Sequence, residues 1–154
     1  YAMAPEQLAH SDIKFAATAA LKAAIARAKL PCRAVLDGPA VRIAARTAYQ
    51  PDALVYCGAR LPDSTLEISD PVVVVEVLSP STAAYDQNDK LAGYFSLPSL
   101  AHYLIVDPER RLVIHHARED GERAATRILH GGFLRLDPPG IEVAVEDLFE
   151  PEAA

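Results

Sequence analysis

Glu76 is a carboxylate set into an otherwise apolar run, Val72-Val73-Val74-Val75-Glu76-Val77-Leu78. A β-branched run without polar alternation is expected of a strand buried on both faces. An unpaired carboxylate there costs several kcal/mol, so Glu76 must meet a cation, join a hydrogen-bond network or hold a proton. The plainer alternative places it at the strand end, paired with a nearby Arg or Lys. Asp52 follows Pro51 at the start of the preceding apolar segment and comes alongside Glu76 if the two strands pair. Two adjacent carboxylates repel, and a hard divalent cation such as Mg²⁺ relieves the repulsion while keeping sites for water and phosphate. Read alone, Pro51-Asp52 is only a turn that opens a strand. Lys90 shares a helix face with Asp86 and Tyr94 at i, i+4 and i+8, from which its ammonium could reach the carboxylates. The alternative is an exposed Asp86–Lys90 pair contributing about 0.3 to 0.5 kcal/mol.

The elements that must carry these residues are read from periodicity and punctuation. From Ser11, the residues Ile13, Ala17, Ala20, Leu21, Ala24, Ile25 and Ala28 recur at three and four, with Lys14, Thr18, Lys22 and Lys29 elsewhere. This predicts a helix of about four turns, capped by Ser11 or Asp12 and stopped by Pro31. Two short strand-like runs between Arg33 and Ile43 surround Asp37-Gly38 and read as a hairpin. Pro51 to Cys57 is a third strand, 58–70 a loop, and Pro71 to Leu78 the centre of the sheet. Ser79-Pro80-Ser81-Thr82 caps a second helix, Ala84 to Phe95, which leads into a strand from His102 to Val106. Strand, helix and strand in that order favour parallel pairing. Leu112 to Ala117, Ala124 to Leu129 and Phe133 to Leu136 suit an antiparallel meander, with Val145 to Phe149 a closing helical turn or short strand. The pattern is that of an α/β or α+β domain on a mixed sheet.

The chain's 154 residues fit one domain, 1–154. Its 51 % hydrophobic and 23 % charged residues are the balance of a folded protein rather than a disordered one. Against 21 acidic residues stand 15 Lys and Arg, a net charge of −6, so no global basic footprint marks a nucleic-acid binder. Arg33, Arg42, Arg46 and Arg60 form at most a local basic rim. Cys32 and Cys57 have no metal-site spacing and read as two core thiols of a reducing cytosol, hence a cytoplasmic protein. The longest uncharged stretch, Leu91 to Val106, falls short of the roughly 18 apolar residues of a membrane span, so no membrane partner is expected. A start at Tyr1 rather than Met points to missing residues in front. Ser64, Ser79 and Ser81 lack a nucleophile elbow, no phosphate-binding glycine loop is present, and His102, His115, His116 and His130 offer no ligand spacing.

Together Pro51-Asp52, Glu76 in its apolar strand and the helix that follows resemble the PD-(D/E)XK nuclease superfamily. The longer pattern is narrower. Val75-Glu76-Val77-Leu78-Ser79-Pro80-Ser81-Thr82, then Asp86, Lys90, Tyr94 and Tyr103-Leu-Ile-Val-Asp107-Pro108, resembles the bacterial restriction-endonuclease family called Uma-two, and Met3-Ala-Pro-Glu6 with His10 matches its early part. The resemblance implies a restriction-endonuclease-like mixed sheet flanked by helices. It also implies a Mg²⁺- or Mn²⁺-dependent endonuclease acting on DNA, working as a homodimer, with Asp52, Glu76 and the Val77 main-chain carbonyl as metal ligands. His10 faces the metal site in this reading, or else is a capping or surface residue. The superfamily's usual lysine, two residues after the glutamate, is here Leu78, and Lys90 is the expected substitute. The competing expectation is an inactive nuclease-like fold that binds nucleic acid or protein, the catalytic step lost with that lysine.

Overall fold

The computed structural model describes residues 7–79, 84–121 and 123–149. Six strands form the main sheet in the order β1-β4-β5-β6-β7-β8. They are β1 (Cys32–Leu36), β4 (Ala53–Cys57), β5 (Pro71–Val77), β6 (His102–Asp107), β7 (Leu112–Asp120) and β8 (Arg123–Leu129). The pair β5–β6 is parallel and every other neighbouring pair in the sheet antiparallel, so the sheet is mixed as expected. The parallel pair is bridged by α2 (Ala84–Phe95). Two ribbons stand apart: β2 (Val41–Ala44) with β3 (Thr47–Tyr49), and β9 (Phe133–Leu136) with β10 (Ile141–Ala144), followed by a 3-10 turn at Val145–Leu148.

Alternation along β4, β5 and β6 sends side chains to two separate cores. Ala53, Val55, Val73, Val75, Leu104 and Val106 face α1 (Leu8–Ala28) and the β9–β10 ribbon. Leu54, Tyr56, Val74, Tyr103 and Ile105 face Tyr94 of α2 and the β2–β3 ribbon. Coverage on both faces explains the unbroken apolar run of β5.

Several expectations change. Helix α1 begins at Leu8, with Gln7 in the cap position and no side-chain cap, so neither Ser11 nor Asp12 caps it. It ends before Pro31, with Lys29 in the left-handed conformation. Lys14, read as part of the polar face, is buried with Ile13 and Ala17. The runs around Asp37-Gly38 do not form a hairpin: β1 pairs with β4, and β2 pairs with β3 across a turn at Ala45-Arg46. Beyond β1 the chain passes to the other sheet face, where Val41 joins the second core, and that change of layer carries no local signal. The meander ends at β8, because β9 turns to pair with β10 beneath α1. Cys32 and Cys57 face each other across β1 and β4 and form a disulfide, not two core thiols. Antiparallel register brings together two cysteines 25 residues apart, which spacing alone does not reveal. The expected cap at 80–82, the Asp86 side chain and the early segment Met3 to Glu6 lie outside the described residues or side chains.

Candidate active site

The site is built where the β4–β5 ladder stops. Ala53 pairs with Val75, Leu54 with Val74 and Val55 with Val73, and one more step in that register sets Asp52 beside Glu76. The Asp52 N–H still donates to Val75 O at 3.0 Å, but β5 runs on to Val77 with no β4 partner. The Asp52 carboxylate closes the gap, its Oδ2 accepting the Val77 N–H at 2.6 Å. The Val77 carbonyl beside it accepts the His10 Nε2–H at 2.9 Å, which fixes the proton of that imidazole on Nε2. His10 therefore reaches the site from the first turns of α1, and its Nε2 lies 4.0 Å from Asp52 Oδ2.

Each helix adds an ammonium. On α1, Lys14 Nζ stands 3.6 Å from Asp52 Oδ1 and 3.1 Å from Asp37 Oδ2, with its side chain only 8 % exposed. Asp37 is held in turn by the Gly38 N–H at 2.9 Å and the Gln50 amide at 3.1 Å, and its own N–H donates to Asp52 O at 3.0 Å. On α2, Lys90 Nζ lies 3.6 Å from Glu76 Oε1, and the Tyr94 hydroxyl donates to the same oxygen at 2.8 Å. Tyr94 is fully buried between Tyr49 and Tyr103, with ring centroids 5.3 and 5.1 Å away. Gly93 permits this packing: a Cβ there would sit 2.8 Å from the Tyr49 ring. A bulkier residue there would force the Tyr49 ring or α2 to shift.

Burial pushes Glu76 up to about 7, opposed by Lys90, reinforced by the Asp52 charge and opposed again by the Tyr94 hydrogen bond. Burial also raises Asp52, against the Val77 N–H, Lys14 and His10. Burial alone would raise Asp37 as well, but Lys14, the Gly38 N–H and Gln50 together hold it below its ordinary value. Burial and the neighbouring Glu76 carboxylate raise the Tyr94 hydroxyl, keeping it a donor. The acids are thus split, with Asp37 strongly anionic and Glu76 poised near neutrality.

The structure brings Asp52, Glu76, Val77, Lys90 and His10 into one place at the end of the sheet. It adds Lys14, Asp37, Gln50 and Tyr94, none of which the sequence reading gave a role. Lys14 lies seven residues before Leu21 and three before Ala17 on the helix's apolar stripe, and that spacing was the available signal. Among the described residues no three His, Cys, Asp or Glu side chains form a metal-holding group. The oxygen set nonetheless suits a small hard cation, which Mg²⁺-binding sites often hold through one or two carboxylates, with water and phosphate completing the shell. Two mutually repelling carboxylates and a carbonyl with a second lone pair are the donors here. The remaining histidines stay outside this group. His102 Nδ1 and His115 Nε2 meet at 2.9 Å inside the sheet, and burial lowers both, His115 to about 4.

A mixed six-stranded sheet flanked by two helices, with acids at a ladder end, defines a nuclease-like fold. A solved structure from Anabaena variabilis, titled a putative nuclease belonging to DUF820, matches it with a TM-score of 0.73 at 17 % identity, covering 95 % of this chain and 83 % of that one. The family model named Uma2, "Putative restriction endonuclease", matches residues 1–147, and the chain belongs to that family. Two uncharacterized proteins of Synechocystis sp., slr1290 and sll1609, are also similar. The first is 36 % identical over 100 residues (64 % of this chain), the second 34 % identical over 56 residues (36 %). The matches span 53 % and 32 % of those two proteins, so this chain corresponds to about half of the first and a third of the second.

Proposed function

We propose that this protein is a metal-dependent endonuclease that hydrolyses phosphodiester bonds of DNA, with Asp52, Glu76 and the Val77 carbonyl holding Mg²⁺ or Mn²⁺. The observation that carries the reading is the juxtaposition at the open end of the β4–β5 ladder: two carboxylates, a main-chain carbonyl and the Lys90 ammonium 3.6 Å from Glu76. When bound, the cation would polarise the phosphate and lower the pKa of a coordinated water. Asp52 is held in place by the Val77 N–H, and Glu76 Oε1 by Tyr94 and Lys90. Lys90 supplies from α2 the positive charge that Leu78 cannot, beside the position where negative charge builds up on the phosphate.

The test is cleavage of plasmid and linear DNA in Mg²⁺ and Mn²⁺. Asp52→Ala and Glu76→Ala should each abolish cleavage while far-UV circular dichroism is retained; cleavage surviving in both sinks the proposal. Leu78 at the usual lysine position favours one second reading, an inactive fold that binds nucleic acid or protein. DNA retained on filters in a salt-dependent manner, with the strand intact in metal, would select it. Duplex DNA as substrate calls for a homodimer that cuts one strand per protomer, and light scattering with and without duplex tests that. We place the protein in the cytoplasm, where its proposed substrate is at hand, although a Cys32–Cys57 bond is of a kind that the reducing pool there opposes. Trapping thiols at the moment of lysis tests location and bond together.

A further inference from the structure

An open groove of about 510 Å³ lies beside the acidic centre, lined by Leu8, Ser11, Lys14 and Phe15 of α1 and by Leu36 and Asp37 at the end of β1. Three of the six large apolar side chains exposed among the described residues gather here: Leu8 at 78 %, Phe15 at 60 % and Leu36 at 44 %. The groove also borders the site. Lys14 and Asp37 form part of its wall, and the same two side chains hold each other and Asp52. Only the Lys14–Asp37 pair stands between a molecule seated on Phe15 and the Asp52 carboxylate, Lys14 Nζ lying 3.6 Å from Asp52 Oδ1.

What continues from a phosphodiester is the neighbouring nucleoside. With a net charge of −6 the chain offers no broad attraction to a polyanion, which gives contacts to bases a part to play in affinity. An exposed phenyl ring flanked by aliphatic side chains is a stacking platform, and stacking accepts any base because every base has a π-face. In a duplex those faces are covered by neighbouring base pairs and become available only when a base leaves the stack.

We infer that this groove takes a base of single-stranded nucleic acid, stacked on Phe15 with Leu8 and Leu36 at its edges, next to the phosphodiester held at Asp52 and Glu76. The inference rests on the nuclease reading and names its substrate class. A single strand needs one cut, so one protomer suffices.

Fluorescence anisotropy with a fluorescein-labelled oligo(dT) strand, alone or annealed to its complement, tests this in Ca²⁺, and cleavage of both probes is followed in Mn²⁺. Wild type should bind the single strand at least tenfold tighter than the duplex. Phe15→Ala should weaken single-strand binding roughly 5- to 150-fold, the range for losing one base stack, and Phe15→Tyr should keep it. Because Phe15 is largely exposed, its replacement should leave the far-UV spectrum unchanged. Equal affinity for both probes, or a Phe15→Ala variant that binds and cleaves as wild type does, overturns the inference and leaves the nuclease reading standing. A Phe15-dependent single-strand preference without cleavage in any metal overturns the nuclease reading instead. A fall in molar mass of Phe15→Ala by light scattering, with affinity unchanged, would make the groove a contact between copies and also overturns the inference.

Discussion

Replacing Glu76 by Gln should stabilise the metal-free protein at pH 8 far more than at pH 5. Folding lifts this carboxyl from its ordinary 4.5 to about 7. Between those values the folded chain holds a proton that the unfolded chain has released, so stability falls as pH rises through the window. Below 4.5 both states are protonated and the effect vanishes; above 7 it is complete and amounts to about 3 kcal/mol. About 2 to 3 kcal/mol of that falls between pH 5 and pH 8, or roughly 5 to 10 °C in melting temperature for a chain of this size. Gln keeps an oxygen for the Tyr94 hydroxyl and has no proton to lose. The measurement is urea unfolding in EDTA at pH 5, 6, 7 and 8 for both proteins, with their difference plotted against pH to cancel every other titrating group. A gap that widens with pH by that amount supports the assignment. Parallel curves would show that Glu76 is ionised throughout and that its burial is relieved some other way. Mg²⁺ added at pH 8 should raise the wild type and leave Glu76→Gln nearly unchanged.

Tyr94→Phe removes a hydrogen bond that favours ionised Glu76, so the acid limb of the cleavage pH–rate profile should move to higher pH; an unmoved limb would show that Glu76 does not control it. Lys14→Met leaves Asp37 and Asp52 facing each other without their shared cation, and should cost about 2 kcal/mol in chemical denaturation, less than a fully buried pair because Asp37 is half exposed. Replacing Cys32 and Cys57 together by Ser opens a link between residues 25 apart, and should lower stability by about 3 kcal/mol, with added reductant then having no further effect. Burial holds His115 down to about 4, so its contribution is complete above 6.5 and is lost as pH falls toward 4; His115→Phe should flatten acid unfolding in that window.

The central part of this architecture was legible because its signals are local. The run Val72 to Leu78, the helix from Ala84 to Phe95 and the strand from His102 each fall near their observed positions, and their order alone implied the parallel pair. Glu76 stood out as a polar residue where only apolar ones fit. The acids Asp52 and Glu76, and Lys90, could be named because the elements carrying them were readable. Asp37 and the disulfide could not be placed, because both depend on β1 pairing with β4 rather than with the next strand in sequence. The same long-range choice turned the expected hairpin into two separate pairings. Lys14 was hidden differently: a lysine on an apolar stripe usually sends its ammonium to water, and only the arrival of Asp37 and Asp52 from other elements keeps this one inside.

The unpaired overhang of β5 makes the position of the site a matter of counting. Asp52 meets the Val77 N–H only because the chain enters β4 one residue ahead of the last paired position and β5 continues two residues beyond its own. The extra residue of the β4–β5 pair, between Val55–Val73 and Tyr56–Pro71, lies at the far end of the ladder. Length changes in the long connection 58–70 can therefore be absorbed there without moving the carboxylates. A residue inserted between Asp52 and Ala53 would instead turn Asp52 toward the opposite face of the sheet. Two single-residue insertions would then have opposite fates, one silent and the other dismantling the site.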